Sequence, residues 1–399
     1  MIKNIITLIL LTLLVNQSYE RPVKSTLLSS ANNRLSLNLM NHLSDGKQNV
    51  FISPFSISTA FGVLYSGAKG KTAEEMREVL GYNFGHLSDL QVGEEFQNVL
   101  QEFDGLNSEK NELRVANKVV VQKNFKILQT YEENVKNNYK SSVESIDFVE
   151  EPQEAMKSIN QWVDRQTHHK IHKLLDEPLD STTRLVLLNA VYFKGLFQTK
   201  FLANETQKKV FFGSDEKQNE VLMMKRTGKF NYTTIEEIDS KMLEIPYSGD
   251  DISLYIVLPN ERQGLKKFKT VLNDFSVIDK SITNLREMFV EVIVPKFKVE
   301  TSYELKNKFS EMGMTTVFTN SADLSGIDGK QDLKVSKVLH KAYIEISEEG
   351  TEAAGVTGIV IEEKSLPMIH QFRADHPFMF FIRNNKNGIV LFSGHINQI

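Results

Sequence analysis

The stretch Glu348-Glu349-Gly350-Thr351-Glu352-Ala353-Ala354-Gly355-Val356-Thr357-Gly358 decides how this chain is read. It follows a β-like run near the C-terminus and leads into a segment carrying both acidic and basic residues. It has almost no bulky side chain, so nothing in it anchors a core, yet it is not low-complexity linker. Its residues alternate. Thr351, Ala353, Gly355, Thr357, Ile359 and Ile361 share one face of an extended strand, and Glu352 lies on the other. Small residues first, apolar ones on one face and charge on the opposite face suit a segment that slides between two existing strands.

Working outward, the run Arg184-Leu185-Val186-Leu187-Leu188-Asn189-Ala190-Val191-Tyr192-Phe193 is nearly all apolar, which marks a central strand buried on both faces. Further strands are expected over 113–122, 242–258, 287–299, 340–347 and 377–394. Leu35, Leu39 and Leu43 place one apolar stripe on a helix from Ser29. Helices are also expected after Pro54, from Ala73, and over 88–104, 153–176, 262–274 and 302–312. Strands and helices come in clusters without strict alternation, so the class is α+β with a largely antiparallel sheet component.

With 399 residues, 41% of them hydrophobic and 25% charged, the chain can bury a large core. No Pro/Gly/Ser-rich linker or repeat divides it, and one domain over 20–399 is expected. The net charge of −4 supplies no general pull toward nucleic acid or an anionic membrane. Residues 1–19 read as a secretory signal. Lys3 provides the positive start, and the apolar run from Ile5 to Val15 is too short to span a bilayer. The protein is therefore expected outside the cell. There is no cysteine, which removes any thiol nucleophile, thiolate metal site or covalent dimer. The sequons at Asn204 and Asn231 are glycosylation candidates. Gly70-Lys71-Thr72 suggests a phosphate loop, but Tyr65 occupies the position where such a loop needs a glycine. The cluster His168-His169-Lys170 with His172-Lys173 has no carboxylate or cysteine at ligand spacing in the sequence, so no metal and no cofactor is expected. No G-x-S-x-G elbow or paired catalytic motif points to an enzyme.

Five blocks in order carry a resemblance to the serpin family across almost the whole mature chain. They are Asn49-Val50-Phe51-Ile52-Ser53-Pro54-Phe55-Ser56-Ile57, Leu188-Asn189-Ala190-Val191-Tyr192-Phe193-Lys194-Gly195, Ser321-Ala322-Asp323-Leu324-Ser325-Gly326-Ile327, Val338-Leu339-His340-Lys341-Ala342, and Phe372-Arg373-Ala374-Asp375-His376-Pro377-Phe378-Met379-Phe380-Phe381-Ile382. The opening stretch resembles the hinge of inhibitory members. The resemblance implies three β-sheets, eight or nine helices and an exposed reactive-centre loop, here about 348–369, that enters the main sheet once cut.

Counting from Gly350 as the hinge glycine, the family's loop length implies a reactive bond between Lys364 and Ser365. A lysine before the cut suits a trypsin-like serine protease. Glu348, Glu349, Gly350, Thr351, Glu352, Ala353, Ala354, Gly355, Val356 and Thr357 form the implied hinge. Ser53, Ser56, Asn189 and His340 match the "shutter" beneath the sheet. Lys296, Glu348 and Phe197 match the "breach" at its top, with Phe197 standing where a tryptophan is usual. Many members bind sulphated polysaccharide through a basic helix. Residues 88–104 carry Glu94, Glu95, Glu102 and Asp104 instead, so no polyanion site is expected there. The implied function is a secreted, monomeric suicide inhibitor that traps its protease as a covalent complex. The alternative is a binding or carrier member that never inserts its loop.

Overall fold

The structure is a computed structural model describing residues 25–106, 110–351 and 368–399. The expected signal (1–19) and loop residues 352–367, with the Lys364–Ser365 bond and hinge residues Glu352–Thr357, lie outside them.

Among the described residues the chain forms ten α-helices, numbered in order: α1 Leu27–Leu43, α2 Pro54–Tyr65, α3 Gly70–Val79, α4 Asp89–Leu106, α5 Gln129–Tyr139, α6 Pro152–Gln166, α7 Leu265–Val271, α8 Ser276–Thr283, α9 Lys306–Glu311 and α10 Ser325–Asp328. The strands are β1 Val50–Ile52, β2 Asn111–Gln122, β3 Ser142–Ile146, β4 Leu185–Leu196, β5 Gln207–Phe212, β6 Gln218–Ile235, β7 Ser240–Pro246, β8 Ile252–Pro259, β9 Arg286–Pro295, β10 Phe297–Glu304, β11 Val335–Ile346, β12 Gly350–Thr351, β13 His370–Arg373, β14 Phe378–Asn384 and β15 Val390–Ile396.

They make two hydrogen-bonded networks. The larger runs β1-β15-β14-β8-β7-β6-β9-β13, with β5 on β6. Two of the three expected sheets are continuous here because β6 is long enough to pair with β9 through Met223–Tyr232 and with β7 through Asn231–Ile235. The smaller sheet runs β10-β11-β4-β2-β3, with β12 on β4.

The β4 strand shows why its sequence is apolar on both faces. Leu185, Leu187, Val191 and Phe193 point into the main core. Val186, Leu188, Ala190 and Tyr192 point into a second core, where Ile159 and Val163 of α6 and Leu174, Leu175 and Leu179 beyond it cover the sheet. Alternation sends neighbours to opposite faces, and both faces are dry.

Several expected runs are shorter or divided. The helix expected over 153–176 ends at Gln166, where His168 and His169 adopt left-handed φ values of 49° and 62°. Asn160 then holds the covering segment, accepting from the Leu174 and Leu175 amides at 2.8 and 2.9 Å. The runs 242–258, 287–299 and 377–394 each contain two strands rather than one. Residues 302–304 belong to β10, and the helix there is only α9.

Candidate functional site

The site begins where β4 and β11 part. These strands are parallel and pair from Val335↔Leu185 to Tyr343↔Tyr192. Their outer neighbours, β2 and β10, are antiparallel to them. A strand entering between β4 and β11 in the opposite direction would therefore replace a parallel pairing by two antiparallel ones, the slightly more stable kind.

The start of such a strand is in place. After β11 the chain reverses over Glu348-Glu349, with the Ser347 amide donating to the Gly350 carbonyl at 2.8 Å and the Gly350 amide returning to Ser347 at 3.1 Å. Gly350 then pairs with Leu196 and Thr351 with Gly195, antiparallel to β4. Gly350 is required: its φ is +126°, and a Cβ would stand 2.2 Å from the Gly195 carbonyl oxygen. Thr351 is 2% exposed, and its hydroxyl lies 2.9 Å from the hydroxyl of fully buried Tyr247. This is the first inward residue of the alternation expected from sequence. Glu352 and the residues to Thr357 lie outside the described residues.

The turn is held at both ends. The Phe197 amide donates to the Glu349 carbonyl at 2.8 Å, and the Phe201 amide to the Glu348 carbonyl at 2.9 Å. Lys296 Nζ lies 3.1 Å from Glu348 Oε2, the ion pair expected at the breach. Thr206 adds a hydrogen bond to Glu348 Oε1 at 2.9 Å, and Lys200 pairs with Glu349. Burial pushes the Glu348 carboxyl up, but its own backbone N–H, Lys296 and Thr206 outweigh this and hold it below the ordinary range. Phe197 is buried and stacks on Tyr247, with ring centroids 5.1 Å apart. The phenylalanine thus supports the residue that holds Thr351, without any indole N–H.

The shutter lies lower, between the sheet and the start of α2. Asn189 occupies an inward position of β4 among the leucines and valines, so its amide must find partners. It accepts from His340 Nδ1 and donates to Ser56 and Asn117. Nδ1 must carry the hydrogen, because Nε2 accepts from the Ser53 amide at 3.3 Å. His340 is therefore the neutral tautomer, and burial lowers its pKa to about 3. The Ser53 hydroxyl donates to the Leu391 carbonyl at 2.7 Å and caps α2 by accepting from the Ser56 amide at 3.3 Å. Ser53, Ser56, Asn189 and His340 are thus brought together as expected. Asn117 of β2 joins them, and sequence reading missed it. Tyr247, Lys200 and Thr206 were also missed at the breach. Their signal was weak, since each contacts the site only through cross-strand register or loop path.

The sequons differ. Asn204 is exposed in a short 3-10 turn. Asn231 is half-buried in β6, and its amide donates to the buried Glu244 carboxylate at 2.8 Å. Among the described residues, no helix is long and apolar enough to cross a membrane. No group of three or more His, Asp or Glu side chains among them is placed to hold a metal.

The comparisons with known proteins agree with this architecture. The chain belongs to the serpin (serine protease inhibitor) family, whose model matches residues 30–399. It is 39% identical to Serpin B4 of Homo sapiens over 387 residues, covering 93% of this chain and 99% of that one. It is 38% identical to Intracellular coagulation inhibitor 1 of Tachypleus tridentatus, covering 96% and 92% of the two chains. The crystal structure of Serpin48 from the insect Tenebrio molitor superposes with a TM-score of 0.82 at 34% identity, covering 93% of this chain and 98% of that chain.

Proposed function

We propose that this protein is a secreted suicide-substrate inhibitor of a trypsin-like serine protease, cut between Lys364 and Ser365. The observation that carries the reading is Gly350-Thr351, seated at the fork of β4 and β11 and already antiparallel to β4. The protease serine attacks the Lys364 carbonyl carbon, the C–N bond breaks, and the new amine of Ser365 leaves with a proton. The acyl-enzyme ester is then tethered to a chain free to extend β12 downward. About fourteen residues at ~3.3 Å each reach across ~45 Å, enough to traverse the sheet. Roughly ten added ladder bonds at ~0.5–1.5 kcal/mol each favour insertion by about 5–15 kcal/mol before apolar burial is counted. The enzyme travels with the ester, and a triad and oxyanion hole that tolerate little displacement lose the geometry for deacylation.

Several features support the reading. Thr351 is small enough for its buried seat. The leader-like N-terminus and the exposed sequon at Asn204 agree with passage through the secretory route. The Tachypleus relative is itself named as an inhibitor. Glu362 and Glu363, just before the cut, select a protease with a basic neighbouring subsite.

The test is incubation with trypsin followed by denaturing electrophoresis. A band that survives the detergent, at the summed mass, is expected from the wild type and is lost in Lys364→Ala. Clean cleavage with no such band would favour the carrier reading, and an unchanged band in the variant would move the reactive bond elsewhere.

A further inference from the structure

The segment Phe197–Phe201 holds the hinge through its two end amides. Its middle residues, Gln198 and Thr199, face a half-open cavity of about 600 Å³ on the larger sheet. Most of the polar groups around this cavity satisfy one another. Asn231, Glu244 and Tyr255 lie side by side across β6, β7 and β8. The buried Glu244 carboxylate accepts from Asn231 at 2.8 Å and from Ser253 at 2.8 Å, with the Tyr255 hydroxyl at 3.1 Å. Arg383, 2% exposed, is held by Asp279 at 3.3 Å and the Gly388 carbonyl at 3.1 Å. Lys229 pairs with Glu287 at 3.0 Å.

Arg226 is the exception. It is half-buried and lines the cavity. Its Nη1 donates to the Thr199 carbonyl at 3.1 Å, and its guanidinium lies 4.9 Å from the centre of the Phe230 ring. Among the described residues no carboxylate pairs with it. Burial pushes its pKa down, as expected for a desolvated cation without a counter-charge. A guanidinium presents a planar fork of donors that suits a bidentate anion. Beside it, Phe230 and Ile282 offer apolar surface. The cavity volume falls in the range of small-molecule sites. Glu244, Asp250 and Glu287 also face it, and they would repel a ligand carrying several negative charges.

We propose that this cavity binds a small amphipathic monoanion, a carboxylate or sulfonate on an apolar body, with the anion on Arg226 and the body against Phe230 and Ile282. The proposal does not depend on whether the protein inhibits a protease.

The probe is 8-anilinonaphthalene-1-sulfonate, followed by its fluorescence on titration into the full chain. Saturable binding at one site is expected, displaced by 1-naphthoate but not by inositol hexakisphosphate. Arg226→Ala should weaken binding tenfold or more, and Arg226→Lys less than that. Ile282→Trp fills the apolar wall and should also weaken it tenfold. This second variant decides the matter if Arg226→Ala does not fold to a native melting transition. Absence of saturable binding, displacement by the polyanion, or wild-type affinity in a folded Arg226→Ala or Ile282→Trp protein would overturn the proposal.

Discussion

The hydroxyl of Thr351 lies 2.9 Å from that of Tyr247, at a point where both side chains are buried. This bond joins the first inward residue of the loop to the larger sheet. Tyr247→Phe removes one partner and leaves the Thr351 hydroxyl in a dry site. The expected cost is about 1–2 kcal/mol, because an orphaned buried hydroxyl costs more than the bond contributes. Differential scanning calorimetry of the intact chain should show the midpoint lowered by a few degrees. An unchanged midpoint would mean that the docked hinge adds nothing to the resting state.

The seat of Thr351 also sets what can follow it into the sheet. Thr351→Arg places a long cation where only a small side chain is buried, and an unpaired buried charge is strongly disfavoured. The variant should fold, present the same reactive bond and be cut by trypsin without trapping it. Gly350→Ala acts differently, since its Cβ meets the Gly195 carbonyl and the backbone there is left-handed. It should lift the hinge out of the sheet and speed cleavage of the loop. Trapping by Thr351→Arg at the wild-type stoichiometry would contradict the insertion route.

The shutter makes an acid-stability prediction. His340 has a folded-state pKa of about 3 against an ordinary 6.5, so the folded state resists the proton that the unfolded chain accepts. Its contribution is present above pH 6.5 and is lost as pH falls from 6.5 toward 3, by about 1.4 kcal/mol per pH unit within that window. Protonation would also set a second N–H against the Ser53 amide. His395, buried and lowered to about 4, acts with the same sign. Urea unfolding at pH 7.5, 6 and 5 should show stability falling with pH. His340→Gln should be less stable at pH 7.5 and have a slope shallower by about one proton. An unaltered slope would show that His340 is not held neutral by the fold.

Much of this site is legible in the sequence. The inward seat of Thr351, where the expected hinge begins, is readable because strand parity puts it on the buried face. The β4 strand was readable because burial on both faces leaves an unbroken apolar run. Ser53, Ser56, Asn189 and His340 were recognisable through family resemblance, and Asn189 also stands out as the one amide in that run. Asn117, Tyr247, Lys200 and Thr206 were not readable. Asn117 reaches Asn189 only because β2 pairs with β4 in the register Asn117↔Asn189, and register between distant strands is not written locally. Tyr247 reaches Thr351 across 104 residues of sequence. The end of α6 was misplaced because His168 and His169 follow it in the left-handed region, a conformation that the apolar spacing of the run does not signal. The length of β6 was missed because its middle, Lys225-Arg226-Thr227-Gly228-Lys229, lacks an apolar period.

We propose that the intact chain is held above a lower-energy form that one cut makes reachable. The most direct measurement is thermal melting, by circular dichroism, of the intact protein beside the same protein nicked in its loop. The nicked molecule, with its loop extended along β4 and β11, should stay folded at temperatures that unfold the intact one. Equal midpoints, or a lower one for the nicked form, would contradict it.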